Sequence, residues 1–356
     1  MGKPLELSTI LSEIQRHHAD TGEWLSSREW GRTYGHTTAR LAQKYGPWEE
    51  IVETAKRGSE VTAQLDAPTP ATWRKWVNHA IERKGLEASE GRWRRQATLD
   101  WSKVDHPVAV CFTADWHLGA LGTDYVSLLE DFDYMRGIST DHLRLILLGD
   151  ITENTIRFKS KEAELTSLPP QQQQAVMCGM LDEPGMGEKI ACATWGNHDT
   201  MRDENLMGYS PVADKLRAYC PEAFFYGKGL LRIQLGKQEY VLRLTHQGAG
   251  KSIYNKAHDL VRMLREDGYA DVFASAHLHS PVLHWECPRV SEDGQPREVW
   301  MVKVGTYKTE DGYSNRGWKP GVIALPTLVF YPDRHEIAGF KSVRSAVQCV
   351  EMEMAR

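Results

Sequence analysis

Five apolar runs in this 356-residue chain each lead into Asp, Asn or His, residue types able to ligate a metal. PVAVCFTA (107–114) leads into Asp115-Trp116-His117, and LRLILL (143–148) into Gly149-Asp150. IACATW (190–195) leads into Gly196-Asn197-His198-Asp199. EYVLRLTH (239–246) ends on His246, and DVFASA (271–276) leads into His277-Leu278-His279. Short apolar runs rich in β-formers read as buried strands. Ligand sites in open α/β sheets lie outside the carboxyl ends of the strands. The order of the runs therefore demands a fold that brings several strand ends to one edge.

The rest of the second part agrees with an α/β domain of mixed sheets. LLRIQL (230–235), Gly236-Lys237 and the run to His246 read as a hairpin. A helix of about 14 residues is expected from Tyr254, with strands near 299–304 and 327–331 around a Gly-rich loop at 305–321. TSLPPQQQQ (166–174) reads as a solvated insert leading into a helix near Gln172. Ser342 to Arg356 is mostly polar and reads as a tail or a docking helix.

Residues 1–100 differ from residues 101–356, and a domain boundary is expected between them. The first 100 residues hold 15 Lys+Arg against 14 Asp+Glu, whereas the whole chain has a net charge of -5. They also carry Trp24, Trp30, Trp48, Trp73, Trp76 and Trp93, half of the 12 tryptophans. Helices are expected from Leu7, from Ser26 or Ser27 to Tyr34, from Thr37 or Thr38 to Tyr45, from Trp48 to Lys56, and from Trp73 to Lys84. The pair around Gly35 is similar to a helix-turn-helix of the kind appended to phage-like nucleases, with Arg32, Arg40 and Lys44 available to phosphates. A helical bundle with a Trp core is the competing reading.

Imidazole and carboxylate donors without thiolates make a borderline site for Mn, Fe or Zn. The six cysteines, at 111, 178, 192, 220, 287 and 349, contain no C-x-x-C pair and read as buried thiols. Taken in order, the five clusters resemble the calcineurin-like metallophosphoesterase family, whose pattern is D-x-H, G-D, G-N-H-D/E, H and G-H-x-H. The resemblance covers about residues 107–285. It implies a four-layer β-sandwich of two mixed sheets flanked by helices. It also implies a centre of two divalent ions, Mn first, with Fe, Zn, Ni or Mg as alternatives. By that resemblance Asp115, His117, Asp150 and His279 hold one ion, and Asp150, Asn197, His246 and His277 the other. His198 acts on the leaving oxygen, and Asp199 orients His198. The implied reaction is phosphoester hydrolysis by a metal-bridging hydroxide. Ala276 replaces the family's usual Gly and leaves both histidines in place.

Glu153-Asn154 stands where the phosphoprotein phosphatases of the family carry an Arg. The terminal Asn is closer to the DNA-repair nuclease branch. The leading expectation is a DNA-directed phosphodiesterase or nuclease. The alternatives are a phosphatase or phosphodiesterase for a small nucleotide, and a catalytically idle DNA-binding protein. Arg74, Lys75, Arg83, Lys84, Arg92, Arg94 and Arg95, interleaved with tryptophans, suit either a solvated helix face with Trp anchors against the catalytic domain or contact with single-stranded nucleic acid. Lys251, Asn255 and His258, the stretch Thr306-Tyr307-Lys308, and Tyr313 to Lys319 are further candidates for substrate contact. A partner protein is also compatible with the helical front domain. No run is long enough for a membrane span, and the first residues lack a secretory pattern, so a cytoplasmic protein is expected.

Overall fold

The computed structural model describes residues 7–34, 41–42, 45–62, 95–154, 166–207, 210–250, 252, 254–287, 297–310 and 320–355. The chain forms two compact units, residues 1–86 and 87–356.

In the first unit α1 (Leu7–Thr21) packs on α3 (Trp48–Thr62), with α2 (Ser27–Tyr34) between them in sequence. Ile10 and Ile14 on α1, and Ile51 and Ala55 on α3, sit four residues apart and are buried. Trp30 and Trp48 join them in one apolar cluster, their rings 5.3 Å apart. The Trp48 indole donates to the Leu25 carbonyl at 3.2 Å. A capping box opens α2: Ser26 N–H donates to Glu29 Oε2 at 3.0 Å, and Glu29 N–H donates to Ser26 Oγ at 3.3 Å. The expected helices at 37–45 and 73–84 fall wholly or largely outside the described residues. So does the basic cluster, apart from Arg95.

The second unit contains two six-stranded mixed sheets. The first has the order β1-β6-β7-β8-β10-β9. Its strands are β1 (Gln96–Trp101), β6 (Gly229–Leu235), β7 (Gln238–Leu244), β8 (Val272–Ser275), β10 (Val299–Lys303) and β9 (Val282–Glu286). The second has the order β12-β11-β2-β3-β4-β5. It is built of β12 (Ile337–Phe340), β11 (Thr327–Phe330), β2 (Val108–Thr113), β3 (Leu143–Leu147), β4 (Ile190–Thr194) and β5 (Phe224–Phe225). Strands β2 to β5 are parallel, as are β7, β8 and β10. Their carboxyl ends therefore point one way within each sheet. Inward side chains of both sheets share one core, including Phe112, Ile146, Leu231, Leu242 and Val302. This is the expected sandwich of two mixed sheets.

Helices cover the outer faces. These are α4 (Tyr125–Gly137), α5 (Pro170–Asp182), α6 (Thr200–Met207), α7 (Pro211–Tyr219), α8 (His258–Asp267) and α9 (Val343–Met354). Leu260, Met263 and Leu264 of α8 bury against Phe273, Val299 and Met301 of the first sheet. The final segment is α9 and not a loose tail: Val343, Ala346, Val347 and Val350 are buried against β2 and β11. Strand β1 pairs in parallel with β6 and so brings residues 96–100, assigned above to the front domain, into the sheet. The helix expected from Tyr254 is shorter and starts at His258. Among the cysteines Cys111, Cys192 and Cys220 are buried and none is bridged, but Cys287 is exposed. No described helix is long and apolar enough to cross a membrane.

Tyr240 on β7 ties one sheet to the other. Its hydroxyl lies 2.8 Å from the Tyr331 carbonyl, 2.9 Å from that of Arg334 and 3.0 Å from that of Glu336. It accepts from Tyr331 N–H at 3.3 Å and Glu336 N–H at 3.2 Å. Burial pushes this phenol up to about 12. We expect Tyr240→Phe to lower unfolding stability by about 1–3 kcal/mol, because buried amides and carbonyls lose their partner. Denaturant titration followed by tryptophan fluorescence would check this, and an unchanged midpoint would refute it.

Candidate metal centre

The predicted donors arrive from the carboxyl ends of five strands, three in one sheet and two in the other. Asp115 and His117 follow β2, Asp150 follows β3, and Asn197 and His198 follow β4. His246 follows β7, and His277 and His279 follow β8. Two glycines allow the close approach. A side chain on Gly149 (φ +82) would meet the Trp195 carbonyl at 2.5 Å, and one on Gly196 would meet the Asp150 amide at 2.2 Å.

The donors form overlapping clusters. Asp115, His117 and His279 make one, and Asp150, His246 and His277 another. Asp150 also groups with His117 and His198, so it stands between the two. His117 Nε2 and His279 Nε2 are 3.2 Å apart, with Asp115 Oδ1 at 3.7 and 3.6 Å from them. His246 Nε2 lies 2.8 Å from Asn197 Oδ1 and 3.1 Å from Asp150 Oδ2. The backbone locks the other carboxylate oxygens: His277 N–H donates to Asp115 Oδ2 at 2.9 Å, and His198 N–H donates to Asp150 Oδ1 at 2.8 Å.

These residues fit divalent cations. Asp115 Oδ1 is buried, lacks a hydrogen-bond donor and faces two imidazole nitrogens. A buried charged oxygen left unpaired is costly, and a cation removes that cost. Burial opposes ionisation of Asp115 and Asp150, but neighbouring histidines hold both below the usual carboxylate range. Burial pushes His117 down to about 4, leaving the neutral ring a metal requires. Burial also opposes charge on His246, yet Asp150 and Asp115 raise it to about 9. A proton there takes the place that a cation fills in a loaded site.

The backbone is strained at these positions. Asp115, His117, Asp150, Asn154, His277 and His279 have φ between 42° and 68°, and they are the non-glycine residues with positive φ among those described. Such clustering of left-handed backbone marks functional sites.

One expected role is not met. Asp199 does not orient His198. Its Oδ2 accepts from Ile151 N–H at 2.7 Å, and its Oδ1 from Thr200 N–H at 2.5 Å. Burial and Asp150 push this carboxyl up to about 6. It shapes the loops after β3 and β4. His198 instead directs Nδ1 to the Glu153 carbonyl at 3.0 Å, with Arg202 Nη2 at 3.3 Å from its Nε2. Three residues support the site, of which Glu153 stood out in the sequence only as a departure from the phosphatase pattern and Arg202 and Gln173 not as supports at all. Glu153 Oε2 lies 2.7 Å from His117 Nδ1. Arg202 Nη1 donates to the Glu153 carbonyl at 2.8 Å. Gln173, from the insert read as solvated, is buried, and its Oε1 accepts from Asn154 N–H at 2.7 Å. The Glu of the G-D motif was visible, but nothing local linked it to His117. Asn255 and His258 show no contact with the donors among the described residues. Lys251 and 311–319 lie outside the described residues.

No family model matches the chain, and no curated protein sequence matches it. Solved structures resemble it at low identity. The calcineurin-like phosphoesterase YfkN from Bacillus subtilis is 12% identical over 70% of this chain and 97% of its own, with a TM-score of 0.36. A predicted phosphoesterase from Streptococcus pneumoniae is 15% identical over 66% and 90%, with a TM-score of 0.31. Zinc-complexed Vps29 from Entamoeba histolytica is 11% identical over 65% and 98%, also with a TM-score of 0.31. Likenesses of this degree carry no functional weight; the donor set of this chain does.

Asp150 belongs to two of the donor clusters, whereas His198 belongs to one and keeps Nδ1 on a backbone carbonyl. Asp150→Asn is therefore expected to lose bound Mn more severely than His198→Ala. Elemental analysis after gel filtration would show it, and equal losses would contradict the division of roles. Gly196→Ala should likewise weaken Mn binding by roughly tenfold or more, because its methyl displaces the Asp150 loop. Isothermal titration reads this directly.

Proposed function

We propose that the chain is a metal-dependent phosphoester hydrolase acting on phosphodiesters of DNA. The observation that supports it most is the pair of donor clusters that share Asp150 and open on one side. Asp115, Asp150 and His246 are buried, while Asn197, His198, His277 and His279 are only partly covered. An anionic ester can reach the rim, and water is excluded from behind.

Asp115, His117, Asp150 and His279 would hold one ion, and Asp150, Asn197, His246 and His277 the other. Divalent ions in such a site supply Lewis-acid polarisation of a phosphoryl oxygen and a water acidic enough to react near neutral pH. The protein's own part is positioning. The Asp150 and Asp115 carboxylates are fixed by backbone amides, so the donors need little rearrangement on loading. His198 keeps its ring edge at the rim, anchored through Nδ1 on the Glu153 carbonyl. A proton or positive charge offered there, with Arg202 alongside, stabilises a departing alkoxide.

The DNA reading draws on the front unit. Trp30 of α2 is buried while Arg28 and Arg32, four residues apart, are exposed. A helix anchored by an aromatic residue and presenting arginines outward suits phosphate contact.

Pure protein with Mn would be incubated with end-labelled single- and double-stranded DNA, an aryl phosphodiester and a dinucleotide, with Asp150→Asn as the blank. DNA cleavage that vanishes in the variant is the expected result, and His198→Ala should slow it about 10²–10⁴-fold while keeping metal. Cleavage of the aryl diester or dinucleotide with intact DNA moves the substrate to a small molecule. Tight DNA binding with no turnover of any ester would overturn the hydrolase reading.

A further inference from the structure

Glu153 meets the metal centre with two different parts of the residue. Its carboxylate lies 2.7 Å from His117 Nδ1 and 3.5 Å from His198 Nδ1. Its backbone carbonyl lies 3.0 Å from His198 Nδ1 and accepts from Arg202 at 2.8 Å. Lys308, expected above to touch substrate, turns inward instead. Its Nζ donates to both Glu153 oxygens at 3.1 Å, with the lysine side chain 11% exposed and that of Glu153 3%.

The segment that carries Lys308 is itself bound to the first donor loop. Thr306 Oγ1 donates to the Asp115 carbonyl at 2.8 Å, and Tyr307 N–H donates to the same carbonyl at 3.1 Å. Lys308 N–H donates to Thr306 Oγ1 at 2.9 Å. Asp115, His117, Glu153 and Lys308 thus form one connected unit, although 155 residues separate Glu153 from Lys308.

A metal-binding imidazole gains a fixed ring plane and greater basicity when its second nitrogen meets a carboxylate. That carboxylate is useful only while it stays ionised and in place. Glu153 is a third buried negative charge close to Asp115 and Asp150. Without a neighbouring cation it would repel them and bear an uncompensated desolvation cost. Lys308 supplies the compensation and, with two contacts, fixes the carboxylate's rotation.

We propose that Glu153 and Lys308 are a positioning pair that holds His117 for the ion bound with Asp115 and His279. The inference rests on the metal-centre reading above and is independent of the substrate. It predicts that Lys308 governs cation affinity and coordination without touching the ion.

The test titrates the metal-free full chain with Mn²⁺ by calorimetry and records the visible absorption of the Co²⁺-loaded protein. Lys308→Met and Glu153→Gln should each weaken binding of the first ion by about 10–100-fold and alter the Co²⁺ spectrum. Lys308→Arg, which keeps the charge and the donors, should recover most of the affinity. Lys341→Met removes an exposed lysine and controls for net charge. A purely structural Lys308 would lower the melting temperature but leave affinity and spectrum as in wild type, and that result overturns the proposal. If Lys308→Met does not fold, unchanged affinity and spectrum in Glu153→Gln overturn it equally. Wild-type protein that binds neither ion would overturn the metal centre itself, a different failure from variants that bind like wild type.

Discussion

Two buried carboxylates, Asp115 and Asp150, set the conditions that the rest of the second unit satisfies. Each gives one oxygen to a backbone amide of another loop and faces histidines with the other. These ties cross the sandwich. Asp115 follows β2 of one sheet and accepts from His277, which follows β8 of the other. His246, after β7, places Nδ1 2.6 Å from the Leu148 carbonyl after β3. The carboxyl edges of the two sheets are therefore joined by the groups that form the site. Packing of Phe112, Leu242 and their neighbours sets the distance between the sheets, and polar contacts at the edge set their registration.

That arrangement is held against local preference. Left-handed backbone at a non-glycine residue costs about 1–2 kcal/mol, and five of the six such residues are expected metal donors. Asp, Asn and His tolerate this region better than β-branched residues do. The strands behind them supply the compensation: β2 is buried at every residue, as are β8, β10 and β11. A cation that satisfied Asp115 Oδ1 would add to it, since a ligand that binds only the folded state stabilises that state.

The parts of this structure legible in the sequence were those written locally. Each strand that delivers a donor is an apolar-rich run or, for β7, a hairpin strand with regular alternation, so β2, β3, β4, β7 and β8 were found within a residue or two. Strands β1, β5, β9 and β12 were missed: β1 alternates between exposed and half-buried residues, β9 is half-buried or exposed, and β5 and β12 are only two and four residues long. The polar sequence of α9 fits a tail or a docking helix equally, although Val343, Ala346, Val347 and Val350 follow helical spacing. The donors were legible as a set because each sits at a strand end. Their supports were not. Glu153, Arg202, Gln173 and Lys308 meet only after the chain has folded, and nothing in the sequence near Lys308 distinguishes an inward lysine from a solvated one. Asp199 shows the reverse error, where the family resemblance implied a contact with His198 that the turn after Asn197 does not make.

Charge balance explains why the centre needs this inner layer. Asp115, Asp150 and Glu153 place three carboxylates in one small volume, and Lys308 and Arg202 set two cations against them. His246, raised to about 9 by Asp150 and Asp115, adds a proton to that balance in the bare site. Two divalent ions in place of that proton would leave a net positive cleft, which suits the anionic ester proposed as substrate. Lys308 lies behind the donors and holds the Glu153 carboxylate, so it tunes that charge without occupying the rim, while Arg202 binds the Glu153 carbonyl and reaches His198. Under the proposed function, contacts with an ester would fall to the partly covered edge of Asn197, His198, His277 and His279, where its oxygens could approach without displacing a buried charge.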